Sequence, residues 1–265
     1  MKPGPSDHRI DGGKGSIALT GGTGFIGGAI AKRLSDSGWQ VKALVRSLPK
    51  AKALSRLGIE LVQGDLEDTE ALRRLLTGVQ AVVHCAGAVR GLNRDDFARV
   101  NVAGTKRIAS LAASADPPPR FIALSSLAAR EPQLSHYASS KREGEVVLQR
   151  VADSMPLTIL RPPAVYGPGD KEMLPLLLMM MRRGIAPVLG SGEARFSMLY
   201  VEDLASAIER SLVAGDAGRG VFALHDGRAG GYTWSAVVEL ATRERGKPVR
   251  KLAFPRSLLH GLGVI

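Results

Sequence analysis

Thr20-Gly21-Gly22-Thr23-Gly24-Phe25-Ile26-Gly27 follows the short run Ser16–Thr20 and leads straight into a helical pattern over Phe25–Ser37. A glycine triplet of this kind is a weak signal alone. Placed between a strand and a helix, it marks the first turn of a βαβ unit that cradles a dinucleotide. Glycine takes positive φ at the tight turn, leaves no side chain where a pyrophosphate must approach, and lets the helix lie close to the strand. The helix N-terminus then directs unpaired N–H groups at the anion. Gly21, Gly22, Thr23, Gly24, Phe25, Ile26 and Gly27 are the candidate cradle.

Outward from this turn, short apolar runs alternate with longer amphipathic ones. Strands are expected over Ser16–Thr20, Gln40–Val45, Ile59–Val62, Ala81–His84, Phe121–Ser125 and Leu157–Leu160, and helices over Phe25–Ser37, Thr69–Leu76, Arg94–Ser114 and His136–Ala152. That alternation, with right-handed crossovers, predicts an α/β fold: a Rossmann-type doubly wound parallel sheet. Pro117, Pro118 and Pro119 end a helix before the fifth strand, because proline lacks the N–H a helix needs. After Arg161 the prolines and glycines Pro162, Pro163, Gly167, Pro168 and Gly169 crowd into a loop. Beyond it the pattern is less regular, with helices near Met173–Arg183, Val201–Val213 and Thr233–Arg245 and a strand near Phe196–Tyr200. The expected organisation is a disordered tail over 1–14, a dinucleotide-binding domain over 15–165, and a small C-terminal substrate-binding region over 166–265, interleaved with the main domain.

The second strand ends in Arg46, where NAD-selective sites carry an acidic residue for the ribose 2′-hydroxyl. A guanidinium there attracts a 2′-phosphate, so NADP is the expected cofactor, with NAD as the alternative. Asp65, after the third strand, is placed either to face the adenine or to cap the next helix.

The chain resembles the short-chain dehydrogenase/reductase superfamily, and within it the extended or atypical epimerase/dehydratase-like members, including the 3β-hydroxysteroid dehydrogenase-like ones. The resemblance spans Ser16 to Ala214. It rests on an ordered series: the glycine turn, Asp65-Leu66, His84-Cys85-Ala86-Gly87, Asn101-Val102-Ala103-Gly104-Thr105, Ser125-Ser126, Tyr137-x-x-x-Lys141, Arg161-Pro162-Pro163-Ala164-Val165-Tyr166-Gly167-Pro168 and Tyr200-Val201-Glu202-Asp203-Leu204-Ala205. Residues four apart share a helix face, so Lys141 can reach the cofactor ribose while its charge stabilises the Tyr137 phenolate. The resemblance implies that Ser126, in preference to Ser125, hydrogen-bonds the substrate oxygen. It also implies that Ser125 faces substrate and that Asn101 steadies the helix and a proton-relay water. Leu66, Ala86, Gly87, Pro162 and Val165 then join the cofactor contacts, and Arg195 stands where relatives hold a diphosphate. A homodimer through Arg94–Ser114 and His136–Ala152 is implied as well.

Two features separate the chain from the nucleotide-sugar enzymes of that superfamily. Leu127-Ala128-Ala129-Arg130 replaces their usual Val-Tyr-Gly after the serines, and the run Leu174 to Met181 offers an adaptable apolar surface for a hydrophobic ketone or alcohol. The first expectation is therefore hydride transfer between NADP(H) and a carbonyl or hydroxyl substrate. A nucleotide-sugar epimerase or dehydratase comes second, and a non-catalytic NADPH-binding subunit or sensor third. His84 and Cys85 are expected to pack at the strand end.

Composition sets the remaining bounds. With 45% hydrophobic and 23% charged residues the chain is an ordinary globular one. No stretch reaches the roughly 18 apolar residues of a membrane span. The net charge of +11 is scattered rather than gathered with aromatics, which argues against nucleic acid. A single cysteine, Cys85, excludes an internal disulfide and fits the cytoplasm. No metal site is expected. The apolar end His260 to Ile265 either packs on the body or marks a continuation.

Overall fold

The computed structural model describes residues 14–189 and 192–254. The expected tail, except for Lys14, and the apolar end 260–265 lie outside the described residues. Up to Pro162 the chain forms β1 (Ser16–Thr20), α1 (Phe25–Asp36), β2 (Gln40–Val45), α2 (Lys52–Arg56), β3 (Glu60–Gln63), α3 (Thr69–Leu76), β4 (Ala81–His84), α4 (Arg94–Ala98), α5 (Thr105–Ala113), β5 (Arg120–Leu124), α6 (His136–Gln149) and β6 (Leu157–Arg161). There follow β7 (Ala164–Tyr166), α7 (Met173–Arg183), β8 (Ile185–Leu189), β9 (Arg195–Phe196) and β10 (Met198–Tyr200). Next come α8 (Val201–Val213) and β11 (Gly220–Ala223), and finally β12 (Tyr232–Thr233), α9 (Trp234–Arg245) and β13 (Arg250–Phe254).

Two compact units result. One holds the residues up to Pro162 together with Glu202–Leu224; the other holds Pro163–Val201 together with the residues from His225 onward. The first is built on a seven-stranded sheet in the order β11-β6-β5-β4-β1-β2-β3. Every neighbouring pair is parallel. From β1 the chain steps one way to β2 and β3, then returns past β1 and steps the other way from β4 to β6. Right-handed crossovers therefore put the helices of the two halves on opposite faces. Ala18, Val82, Phe121 and Ala123 pack in one core with Leu72 and Leu75 of α3, Ile108 and Ala112 of α5, and Leu148 of α6. α1 packs on β1 and β2 with Ile30 and Leu34 buried, and Arg33 Nε donates to Glu209 Oε2 of α8 at 2.6 Å. Buried on both faces, β4 is the continuous apolar run expected of an inner parallel strand.

Six strands were expected in the sheet, and β11 is the seventh. The helix expected to run unbroken over Arg94–Ser114 contains a π-helical segment at Arg99–Gly104 between α4 and α5. Extra residues in a helical turn swing side chains out of the regular stripe, and such bulges gather at functional sites. Asn101 sits in this one. The strand expected over Phe196–Tyr200 is two strands: β9 pairs antiparallel with β12, and β10 pairs parallel with β7.

The second unit has its own small core, in which Met180 of α7 packs with Ala186, Val237, Val238, Ala241 and Val249. Its helices end in left-handed glycines, Gly184 after α7 and Gly246 after α9. Among the described residues no helix is long and apolar enough to cross a membrane.

Candidate functional site

The strand order reverses between β1 and β4, and in open parallel sheets ligands bind in the crevice at the carboxyl end of such a switch. The glycine turn leaves β1 there and meets the loop leaving β4. Gly21 has φ +76°, and a Cβ on it would lie 2.7 Å from the Ala86 nitrogen. A Cβ on Gly27 would lie 2.1 Å from the Gly21 carbonyl oxygen. Both positions need hydrogen in place of a side chain. Gly24 caps α1 without a side-chain hydrogen bond, and the first turn of α1 carries no acidic residue. The positive end of the helix dipole is thus left for an anion, as a pyrophosphate requires. Thr23 and Gly24 are exposed, and Phe25 and Ile26 are half-buried beside them.

Under this turn runs a hydrogen-bonded chain that the sequence reading did not anticipate. Thr20 Oγ1 accepts from the Ala86 N–H at 3.2 Å and meets His84 Nδ1 at 2.8 Å, while His84 Nε2 meets Thr105 Oγ1 at 3.0 Å. Burial, followed by the nearby Lys141 charge, pushes the imidazole down to about 3, so His84 is neutral at physiological pH. It ties the floors of two loops together. Cys85 beside it is held as the thiol, its burial raising it to about 12. Iodoacetamide at pH 8 is therefore expected to leave Cys85 unmodified in the folded protein, as read by intact mass. Rapid alkylation would contradict that environment.

Arg46 is exposed just past β2. Asp65 Oδ1 accepts from the N–H groups of Glu67 and Asp68 at 2.8 and 3.1 Å, a turn that leaves the helix cap to Asp68, which accepts from Ala71 at 2.9 Å. Capping of α3 by Asp65 is thereby corrected. Leu66 is 9% exposed and turns its side chain into the core, while its carbonyl accepts from Arg107.

On the other side of the switch, Ser135 caps α6, accepting from Ala138 at 3.1 Å. The helix therefore starts at His136, with Tyr137 and Lys141 on one face. The Tyr137 ring lies edge-on to Phe97 of α4, with centroids 6.2 Å apart. Lys141 Nζ donates to the Leu124 carbonyl at 2.7 Å, and a Cβ on exposed Gly87 would come within 3.7 Å of it. Burial pushes this ammonium down to about 8, against the raising influence of Cys85 and Glu145. Asn101 clamps the neighbouring loop: its Oδ1 accepts from Ala88 N–H at 2.8 Å, and its Nδ2 donates to the Ala88 carbonyl and to Ser140 Oγ, each at 2.9 Å. A Cβ on Gly144 would lie 2.5 Å from the Asn101 carbonyl oxygen, so this glycine lets α6 press against the π segment.

The two serines part company. Ser126 accepts from Ala128 N–H through Oγ at 3.2 Å, which leaves its own O–H available. Ser125 is buried and donates to Glu145 Oε1 at 2.5 Å, so the substrate contact expected of it is replaced by an internal one. Glu145 in turn receives Arg161 Nε at 2.8 Å and Nη2 at 2.5 Å. Burial opposes its ionisation, yet the hydrogen bonds from Arg161 and Ser125 and the charges of Arg161 and Arg142 hold it below the usual carboxylate range. Pro162 is buried, and its carbonyl accepts from Leu127 N–H at 2.8 Å.

Within the second unit, Val165 is half-buried on β7, opposite Leu199 of β10. Exposed Arg195 donates from Nη1 to the Gly230 carbonyl at 2.7 Å. Of the apolar side chains on α7 only Met180 is buried, and Leu178 is 41% exposed. Leu177 and Met181 pack partly buried beside Met180, so core packing accounts for one stripe of that helix and leaves Leu178 outside it.

The sequence pattern described as the NAD dependent epimerase/dehydratase family matches residues 17–223. The chain is 41% identical over 245 residues to the ceramide reductase of Caulobacter vibrioides, covering 91% of this chain and 74% of that protein. It is 29% identical over 211 residues to the 2-alkyl-3-oxoalkanoate reductase of Stenotrophomonas maltophilia, covering 72% of this chain and 63% of the relative. Among solved structures, the UDP-glucose 4-epimerase of Thermotoga maritima superposes with a TM-score of 0.76 at 22% identity, covering 91% of this chain and 85% of that one.

Proposed function

Because the chain belongs to the NAD dependent epimerase/dehydratase family, we propose that it reduces the carbonyl of a ketone bearing a long alkyl chain, with NADPH as hydride donor. It is an NAD(P)-dependent enzyme of the oxidoreductase and epimerase kind. The observation that carries the finer reading is α7, where only Met180 is fully buried, Leu177 and Met181 pack partly buried beside it, Leu174, Leu176 and Met179 are half-buried, and Leu178 is exposed. A helix of flexible apolar side chains suits an alkyl chain better than a sugar. The names of the two reductase relatives agree with this choice.

In this reading Gly21 to Gly27 seat the pyrophosphate, Arg46 receives the 2′-phosphate, Asp65 faces the adenosine, and Ala86, Gly87, Pro162 and Val165 border the nicotinamide ribose and ring. When bound, the nicotinamide supplies the hydride. Ser126 donates to the ketone oxygen, Tyr137 delivers the proton to it, and Lys141 holds the ribose while favouring the phenolate that remains. Asn101 keeps the Ala88 loop and α6 in register. Homodimerisation through the helices around α5 and α6 belongs to the same proposal, with Val146 of α6 38% exposed. So does a cytoplasmic location.

The test is NADPH oxidation, followed by absorbance, against ketones of increasing alkyl length. Turnover that rises with chain length is expected. No oxidation with any ketone, together with exchange of sugar stereochemistry in a UDP-hexose, would replace this reading with the second one, nucleotide-sugar epimerisation, which exposed Arg195 favours. Cofactor choice is tested separately. Arg46→Asp reverses the charge offered to the 2′-phosphate and is expected to lower the NADPH:NADH affinity ratio by about tenfold or more. An unchanged ratio would remove Arg46 from the site.

A further inference from the structure

We propose that Glu145 is a positioning residue, which with Arg161 fixes the end of β5 that carries Ser126 and supplies the countercharge for the Lys141 ammonium. The role rests on the reading of Ser126 and Lys141 given above.

The stretch Leu124–Ser126 is held by two charged side chains one turn apart on α6. Lys141 takes the Leu124 carbonyl and Glu145 takes the Ser125 hydroxyl. The backbone holds the same stretch on both sides of Ser126: Ser125 N–H donates to the Leu160 carbonyl at 2.7 Å, and Leu127 N–H donates to that of Pro162. Arg161, on the strand end that supplies those carbonyls, closes the circuit with its bidentate bond to Glu145. The Glu145 side chain is 1% exposed and that of Arg161 is 15% exposed. Such a buried ion pair is weak as a stabilising device, because desolvation consumes most of its attraction and an apolar pair packs as well. What it gives that leucines do not is fixed geometry and a placed charge.

The groups facing Lys141 make that charge matter. From the end of β4 and the residue after it come neutral His84 and the protonated Cys85 thiol, and from the π segment the neutral Asn101 amide. On α6 stand Tyr137 one turn before and Glu145 one turn after, with Arg161 behind Glu145 and Arg142 Nη1 3.5 Å from its Oε2. Glu145 is thus the anion that favours the charged lysine, and Arg161 offsets part of its effect. Removing the carboxylate would leave the guanidinium uncompensated in the same pocket. Removing the guanidinium would leave the carboxylate offset only by Arg142, whose Nη1 stands 3.5 Å from Oε2. The two substitutions must therefore move Lys141 in opposite directions, which loss of packing alone does not do.

The experiment is an NMR titration of the cofactor-free protein labelled with ¹³Cε-lysine, with Lys141 assigned by its loss in Lys141→Met. In the wild type Lys141 is expected to titrate near 8, lowered by its burial. Glu145→Gln is expected to titrate about one pH unit lower and Arg161→Gln higher, in line with the effect of a charge at short range. Shifts of the same sign, or none, in folded protein would overturn the electrostatic half of the proposal. Ser125→Ala cuts the tie to β5 without touching either charge, and it carries the test if a charge variant fails to fold. It is expected to lower kcat about tenfold with KM and the Lys141 titration unchanged; an unchanged kcat would overturn the positioning half. The titration needs no turnover, so a protein inactive on every ketone would fail the functional reading while leaving this one to be decided.

Discussion

Replacing Tyr137 by phenylalanine is expected to lower kcat for ketone reduction by about 10²–10⁴-fold, the range supplied by a positioned proton donor. NADPH affinity should stay within a few-fold of the wild type. The substitution is a clean one here. The Tyr137 ring is held edge-on by Phe97 at 6.2 Å, a contact that phenylalanine preserves. The α6 backbone is set by its Ser135 cap and by Asn101. Single-turnover kinetics with saturating NADPH would measure the effect, and turnover that survives the change would remove Tyr137 from the chemistry. The Lys141 ammonium sets the pH dependence. Its charge is present below about 8 and is lost as pH rises through that value, so in the free enzyme kcat/KM should fall on the alkaline side of 8.

The second large effect is expected at Gly27. An alanine there puts a methyl group 2.1 Å from the Gly21 carbonyl oxygen and 3.0 Å from Gly22 Cα, both of them backbone atoms that cannot swing aside. Either α1 lifts away from the sheet or the turn opens. Overpacking of this kind costs about 1–3 kcal/mol or more. For a chain of this size that corresponds to a fall in Tm of roughly 3–10 °C. The cofactor should suffer more than the fold, because the deformed atoms are those against which the pyrophosphate lies. A rise of about 100-fold or more in the NADPH Kd is expected, some 2.7 kcal/mol on the usual conversion. Gly28→Ala, one residue beyond the cradle, is the control: its methyl group would stand 3.6 Å from the Gly22 carbonyl oxygen, an ordinary van der Waals contact. Calorimetric titration of both variants decides the matter. Equal affinities would mean that the turn does not carry the pyrophosphate.

The parts of the fold legible in the sequence are those where local pattern and tertiary environment agree. β1, β2 and β4 are apolar runs because helices cover both faces of the sheet, and their bounds match the expected ones. β11 escaped because all four of its residues are exposed at the sheet edge and show no alternation. The π segment was invisible because the apolar spacing on either side is that of an unbroken helix. β9 and β12, two residues each, lie below any periodicity.

The site divides along the same line. The glycine turn and the Tyr137/Lys141 pair could be picked out because each is a spacing within one local stretch. The Thr20–His84–Thr105 chain joins residues 64 and 21 positions apart, and the Ser125–Glu145–Arg161 circuit joins residues 20 and 16 apart. Nothing in either stretch announces the partner. A signal for Glu145 did exist. A carboxylate four positions past Lys141 belongs to the same helix stripe, and a stripe that faces a sheet rarely holds an acid without a cation opposite.

The late return of β11 to the sheet bears on how the polypeptide acquires its shape during synthesis. Thr158, Ile159, Leu160 and Arg161 of β6 pair outward with Gly220 to Ala223. Until that segment leaves the ribosome, the outer rim of β6 is an open template for any passing strand. Arg161 is part of the same rim, its carbonyl accepting from Leu224 N–H at 3.0 Å. Nascent chains halted short of residue 224 therefore have a sticky border, and they are the ones a chaperone has most reason to hold.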